Sequence, residues 1–231
     1  MTVHFGIVCF PAVQQLDLTG PYEVFGLASG ARVDLIWKDL EPIRSVTGLV
    51  LQPTLTFAEA PQLDVLCVPG GSGVNPLLQD EETLGFLRKQ AAGARFVTSV
   101  CTGSLVLGAA GLLHGKRATT HWNSHDFLKS FGAVPVQGRV VRDGNLFTAG
   151  GVTSGIDFGL TLVAELFGRE EAEKIQLFME YAPAPPFDAG TPETAPSGVI
   201  EKARQTLASS RQEKVDILAA MGLPGPEAHR P

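Results

Sequence analysis

Three places in this 231-residue chain carry groups able to do covalent or proton-transfer chemistry. The first is Cys101. The apolar run FVTSV stops there, and Thr102-Gly103-Ser104 opens a helical pattern. A thiol at such a strand–turn–helix elbow is a candidate nucleophile, because the helix amino end offers unpaired N–H groups and partial positive charge that favour a thiolate. Free cysteine is also among the most buried residue types, so an inert core thiol is the competing reading. Cys9 and Cys67 lie inside apolar runs and read as core. The second place is Pro69-Gly70-Gly71, directly after VLCV. Two glycines let backbone approach a ligand, and the N–H of Gly70 or Gly71, with that of Thr102, could form a cradle for a developing anion. The third is Asp17 in VQQLDLTGP, either an ordinary helix-start carboxylate or a general acid/base beside the thiol. In an apolar site its carboxyl would hold a proton near neutral pH.

Histidine chemistry is thinner. A glutaminase would carry a late His followed two residues on by an acid; His114, His121 and His125 are followed by Lys116, Asn123 and Phe127, which disfavours amidotransferase chemistry. His121-Trp122 could line a pocket, or His121 could be a hydrogen-bonded structural residue. His121 and His125 are four apart, but nothing near them supplies further ligands and there is no C-x-x-C, so no metal is expected.

The elements that must position these groups alternate. Val3–Phe10, Arg32–Trp37, Val65–Pro69 and Arg95–Val100 read as strands, with helices at Leu16–Ala28, Thr83–Ala92 and Thr102–Ala110 between and after them. Nearly continuous apolar strands alternating with helices imply a doubly wound α/β fold with a mostly parallel sheet, whose strand carboxyl ends carry the reactive groups. Thr47-Gly48 suggests a hairpin within Ile43–Leu55. Val134–Val136, Val140–Arg142 and Leu146–Thr148 read as strands, the last two joined by a turn at Asp143-Gly144-Asn145. Helices follow at Thr153–Phe167, closed by Gly168, and at Arg169–Tyr181. The proline-rich Ala182–Gly198 reads as an extended arm to which Tyr181 and Phe187 give side chains to bury, with a disordered linker as the alternative. Val199–Met221 reads as an amphipathic helix and Gly222–Pro231 as a frayed tail. We therefore divide the chain into a catalytic domain, 1–198, and a C-terminal helix and tail, 199–231.

Composition narrows the function classes. Lys and Arg number 18 against 24 Asp and Glu, a net charge of −6, which argues against a nucleic-acid partner. Only 18% of residues are charged while 44% are hydrophobic, so the core is ample and some surface is expected to be covered by a second subunit. Three widely spaced cysteines form no disulfide framework and suggest a reduced, cytoplasmic protein; Met1–Phe10 lacks a basic start and does not read as a signal peptide. Phe96–Gly115 has no charged residue, but its four glycines and His114 fit a buried strand and helix better than a membrane span.

PGG at Pro69–Gly71, SVCTGSLVLGAAGLL at Ser99–Leu113, ATTHW at Ala118–Trp122 and GGVTSGID at Gly150–Asp157 together resemble the ThiJ/PfpI superfamily, over about Val3–Gly198. The resemblance implies a flavodoxin-like sandwich, a homodimer and no metal or organic cofactor. In the branch it looks most like, it implies hydration of a small neutral isonitrile, R–N≡C, to an N-substituted formamide. By position, it implies that Cys101 is the nucleophile, Asp17 the acid/base and Thr102 a neighbour that helps hold the site. Backbone groups of Gly71 and Thr102 would face the substrate, with Val152 and Thr153 close to the cysteine. Many relatives carry Glu where Asp17 stands, a departure that agrees with the isonitrile branch. The competing readings are a glyoxalase, deglycase or other thiol hydrolase on the same fold, a redox sensor acting through Cys101, and a ligand-sensing regulator. The regulator would need a helix-turn-helix module, and the 33 residues after Gly198 offer one helix in which Lys202, Arg204, Arg211 and Lys214 are balanced by acids.

Overall fold

The computed structural model of the chain describes residues 2–226. Residues 227–231 of the expected tail and Met1 lie outside the described residues.

The order begins β1 (Val3–Val8), α1 (Gln15–Gly26) and β2 (Ala31–Trp37). A two-stranded hairpin of β3 (Ile43–Arg44) and β4 (Val50–Leu51) follows, turning at Gly48, whose φ of 92° suits a residue without Cβ. Next come β5 (Leu55–Thr56), β6 (Val65–Val68), α2 (Val74–Leu77), α3 (Glu81–Ala91), β7 (Phe96–Val100) and α4 (Gly103–Ala109). After β8 (Arg117–Ala118) the segment Trp122–Phe131, assigned no element in the sequence reading, forms a 3₁₀ helix capped at its start by His121. The chain continues through β9 (Val134–Pro135), β10 (Val140–Asp143), β11 (Leu146–Ala149), α5 (Ser154–Phe167), α6 (Arg169–Phe178) and α7 (Ser197–Ala220).

Seven strands form one sheet in the order β10-β11-β7-β6-β1-β2-β5. All its pairings are parallel except β10 with β11, which the Asp143–Asn145 turn makes antiparallel. The run β2-β1-β6-β7-β11 is the doubly wound, flavodoxin-like order, in which ligands bind beyond the strand carboxyl ends. Apart from the half-buried His4 of β1, its central strands are buried, consistent with helices on both faces. On one face α1 packs against α5, with Phe5 stacked on Phe25 at 4.4 Å between ring centroids and Phe158 edge-on to Phe25 at 5.8 Å. On the other face α4 packs against α2, α3 and the 3₁₀ helix. The uncharged stretch Phe96–Gly115 becomes β7 and α4 inside the core, and among the described residues no helix is long and apolar enough to cross a membrane.

Two expectations change at the C-terminal end. Helix α6 stops at Phe178, and Phe187 of the proline-rich arm, expected to be buried, is 80% exposed; Tyr181 anchors the arm's start, donating its hydroxyl to Asp157 Oδ2 at 3.0 Å. Helix α7 packs on its own chain. Leu218 is fully buried, Arg211 makes a two-point contact with Asp126, and Asn75 of α2 donates to Ser210.

Candidate active site

The carboxyl ends of β1, β6, β7 and β11 lie side by side, and each delivers one part of the site. Cys101 follows β7 with φ 55°, the left-handed region that a residue with a Cβ enters at a cost of about 1–2 kcal/mol. Hydrogen bonds hold it there from both sides. Its N–H donates to Ala149 O (3.0 Å) and Gly150 O (2.8 Å), at the end of β11, and its carbonyl accepts from Thr120 Oγ1 (2.8 Å) and Ser104 Oγ (3.2 Å). A non-glycine residue kept in a strained turn by four bonds is a nucleophile elbow in geometry, not only in sequence pattern.

Asp17 stands in the first turn of α1, fully buried, and its Oδ2 accepts the Gly70 N–H at 2.9 Å. Gly71 N–H donates to Thr102 Oγ1 at 3.2 Å. The expectation that Gly70 or Gly71 would offer a free N–H to the substrate is thus corrected: in this structure both donors are spent on Asp17 and Thr102. The glycines matter for contact distance instead. A Cβ on Gly70 would lie 2.7 Å from Thr102 N and Oγ1 and 2.8 Å from Asp17 Oδ2, so only glycine lets β6, the elbow and α1 meet. Asp17 Oδ1 is buried and accepts no hydrogen bond of good geometry, which leaves one carboxyl oxygen free to exchange a proton.

The electrostatics follow from burial. It pushes Asp17 up to about 7, against the opposing pull of the Gly70 N–H and the adjacent Cys101 thiol. Cys101 is raised well above its ordinary value, first by burial and then by the negative charge of Asp17; the N–H and hydroxyl of Thr102 pull the other way without prevailing. The helix amino end therefore does act on the sulfur, but the expected low-pKa thiol is not what this environment favours. Cys9 and Cys67 are buried and pushed up to about 12, as inert core thiols.

The remaining expected residues divide. Gly150 bonds Cys101 directly and Val152 follows two residues on, half-buried, whereas Thr153 is exposed, its Oγ1 accepting from Arg139 at 3.2 Å on the outer rim. His121 borders the same segment, its ring 3.6 Å from the position of a Cβ on Gly151. Burial, with help from the charge of Lys214, holds His121 down at about 4, so it is a neutral ring whose Nδ1 accepts from Asn123 N. Trp122 is half-buried, with the Arg204 guanidinium 6.0 Å from its ring. His125 turns instead to Val136 O, and among the described residues no group of three or more His, Cys, Asp or Glu could hold a metal. Sequence reasoning missed Thr120, which donates to the Cys101 carbonyl and whose only signal was its place in ATTHW.

A strained thiol and a proton-bearing carboxyl at the carboxyl edge of a flavodoxin-like sheet define the class, an α/β protein with a cysteine–carboxyl site. The chain belongs to the DJ-1/PfpI family, whose family model matches residues 4–165. It is 62% identical over 217 residues to an isonitrile hydratase of Pseudomonas putida, covering 94% of this chain and 95% of that protein. A ThiJ/PfpI family protein from Pseudomonas syringae has a similar structure, with TM-score 0.92 and 43% identity over 94% of this chain and 91% of that one. A helix-turn-helix-type transcriptional regulator, GbdR of Pseudomonas aeruginosa, is 34% identical over 136 residues, which span 58% of this chain and 37% of the regulator.

Proposed function

We propose that the protein is an enzyme that hydrates isonitriles to N-substituted formamides, with Cys101 as nucleophile and Asp17 as acid/base. The observation that carries this reading is the 62% identity, over nearly the whole of both chains, to a protein named for that reaction.

The geometry supports a balanced sequence of steps. The neutral thiol first passes its proton to the Asp17 carboxylate; in the form so made, with the proton on Asp17 and the charge on sulfur, Sγ forms a bond to the terminal carbon of R–N≡C while that carbon takes the proton from Asp17 Oδ1. The product is a thioimidate, R–N=CH–S–Cys101, and an Asp17 carboxylate. Asp17 next takes a proton from a water that adds to the same carbon and passes it to nitrogen. As the C–S bond breaks, the C–OH proton returns to Asp17 and R–NH–CHO leaves. Thiolate and carboxyl are restored, and nothing is oxidised or reduced. A carboxyl near 7 both gives and takes protons at little cost near neutral pH.

Purified protein incubated in parallel with para-nitrophenyl isonitrile and with methylglyoxal separates the enzyme readings. The formamide is expected from the first and no consumption of the second; loss of methylglyoxal without formamide would transfer the site to glyoxalase or deglycase chemistry. The regulator reading gains nothing from α7, where Arg211 is tied to Asp126 and Lys214 is buried.

We further propose a homodimer. Leu177, Phe178 and Phe187 are 81%, 73% and 80% exposed around the start of the proline-rich arm, more apolar surface than a monomer usually leaves in one region. Sedimentation equilibrium at micromolar concentration is expected to give twice the 24.5 kDa chain mass; the chain mass itself would exclude a stable dimer.

A further inference from the structure

The buried carbonyl of Cys101 is served by side chains where backbone would ordinarily serve it. Helix α4 begins one residue too late to do so: Thr102 is its N-cap, and the Thr102 carbonyl takes the Leu105 N–H at 3.0 Å. Cys101 O is left outside the helix, and among the described residues no backbone N–H donates to it. Two hydroxyls do, Thr120 Oγ1 at 2.8 Å and Ser104 Oγ at 3.2 Å. Ser104 is local, in the first turn of α4. Thr120 comes from the segment after β8, which is set in place by the pairing of β8 with β9 and by Thr119 N donating to Thr148 Oγ1 of β11 at 2.9 Å. Both hydroxyls are buried, and among the described residues neither donates to any other oxygen.

The other end of the same peptide unit lies in the site. The Cys101–Thr102 peptide is trans, so its N–H points away from its C=O. With the carbonyl turned to Thr120 and Ser104, the Thr102 N–H is turned toward Gly70 and Asp17: the position of a Cβ on Gly70 lies 2.7 Å from Thr102 N and 2.8 Å from Asp17 Oδ2. This N–H donates to no oxygen of the described residues, and it favours negative charge on the Cys101 sulfur. The N–H groups of Gly70 and Gly71 are spent on Asp17 and on Thr102 Oγ1. Of the three backbone donors expected to form a cradle, the Thr102 N–H is the one left for the reacting atoms.

We propose that Thr120 is a positioning residue of the nucleophile: by holding the Cys101 carbonyl, with Ser104 in support, its hydroxyl aims the Thr102 N–H at the sulfur. This rests on Cys101 being a nucleophile, not on the isonitrile. Two effects act in the same direction. Cys101 stands at φ 55°, a conformation a residue with a Cβ leaves readily unless its peptide groups are tied down, and the hydroxyls tie down the side of the peptide that the site cannot reach. A carbonyl that accepts hydrogen bonds also polarises its amide, so the N–H at the far end becomes the stronger donor. When the thiol loses its proton, the charge on Sγ meets a donor already in place.

The test is the rate at which iodoacetamide alkylates Cys101 at a fixed, mildly alkaline pH, followed by intact mass in wild type, Thr120→Val and Thr120→Ser. Valine keeps the shape and removes the donor, whereas serine keeps the donor. Cys9 and Cys67 are fully buried, and Cys101→Ala gives the background. The expected result is a reaction about fivefold slower or more in Thr120→Val and within about twofold of wild type in Thr120→Ser. The sign separates positioning from bracing. A hydroxyl that only braced the fold would, once lost, loosen the elbow around a sulfur that is now covered, and the rate would hold or rise. A rate in Thr120→Val equal to or above that of wild type, or a Thr120→Ser as slow as Thr120→Val, would overturn the proposal. Should Thr120→Val not fold, Ser104→Ala removes the other donor to the same carbonyl. A rate about twofold or more below wild type is expected there, the lost bond being the longer one, and an unchanged or raised rate would overturn the proposal. No readout involves an isonitrile, so a failed hydration assay with slowed alkylation would remove the proposed function and leave this inference standing.

Discussion

Replacing Cys101 by alanine is expected to lower kcat/KM for para-nitrophenyl isonitrile by about 10⁴-fold or more, to the background of the assay, with the fold retained. The size of the effect follows from the proposed route, in which water adds only to the carbon that Sγ has already bonded. Retention of the fold follows from the bonds that hold the elbow. Both acceptors of the Cys101 N–H, and both donors to its carbonyl, engage the backbone and survive removal of the sulfur. Alanine keeps a Cβ at φ 55°, so the turn is neither relieved nor further strained. Losing one buried atom that accepts from Thr102 and neighbours Asp17 leaves a small void, and the stability change should stay within about 1 kcal/mol. Formamide production by parallel assay and the urea midpoint of unfolding check the two halves separately. Undiminished turnover would take the thiol out of the reaction; a collapsed midpoint would make its loss uninformative.

The parts of this site that could be read from the sequence were those in which local chemistry and chain direction coincide. An apolar run ending in Cys-Thr-Gly-Ser has few interpretations, and β7, the strained turn and α4 form there as the pattern requires. The sheet order was legible at the level of class, because strands without polar alternation must be covered on both faces. What could not be read was who bonds whom. Gly70 and Gly71 looked like donors awaiting a substrate, but their N–H groups go to Asp17 and Thr102, a fact fixed by how closely three chain segments approach and not by any one of them. The direction of the Cys101 shift was missed for the same reason. A helix amino end is a local feature, whereas burial and the charge of Asp17 come from distant parts of the chain, Asp17 from α1, folding around the sulfur. Lys214 is the clearest case. Counted along the chain it is one of several cations balanced by acids, and only the docking of α7 through Asn75, Arg211 and Leu218 buries it.

Replacing Asp17 by asparagine is expected to stabilise the protein increasingly as pH rises while removing most of its activity. In the folded chain Asp17 is raised from 3.8 to about 7, chiefly by burial. Below pH 4 it is protonated whether the chain is folded or not, and it contributes no pH dependence. Between about 4 and 7 the unfolded chain has lost this proton and the folded chain keeps it. The unfolded state then binds fewer protons, and wild-type stability falls by about 1.4 kcal/mol per pH unit on account of this residue. Above about 7 both states are ionised and the full cost, about 4 kcal/mol, persists. Asparagine has nearly the same shape, accepts the Gly70 N–H through its own Oδ1, and never ionises. The difference between the two proteins in urea unfolding should therefore grow from pH 4 to 7 and level off by pH 8, while the pH response of every other group cancels in the comparison. A difference independent of pH would mean that Asp17 ionises in the fold as it does in water, and the proton it is proposed to give and take would have no holder. Kinetically the same variant should lose about 10²- to 10⁴-fold in kcat with KM little changed, the signature of a group that acts on the reacting atoms and not on substrate binding. A residue that stabilises the protein by its removal yet is needed for turnover is one whose buried charge the fold tolerates for the chemistry it does.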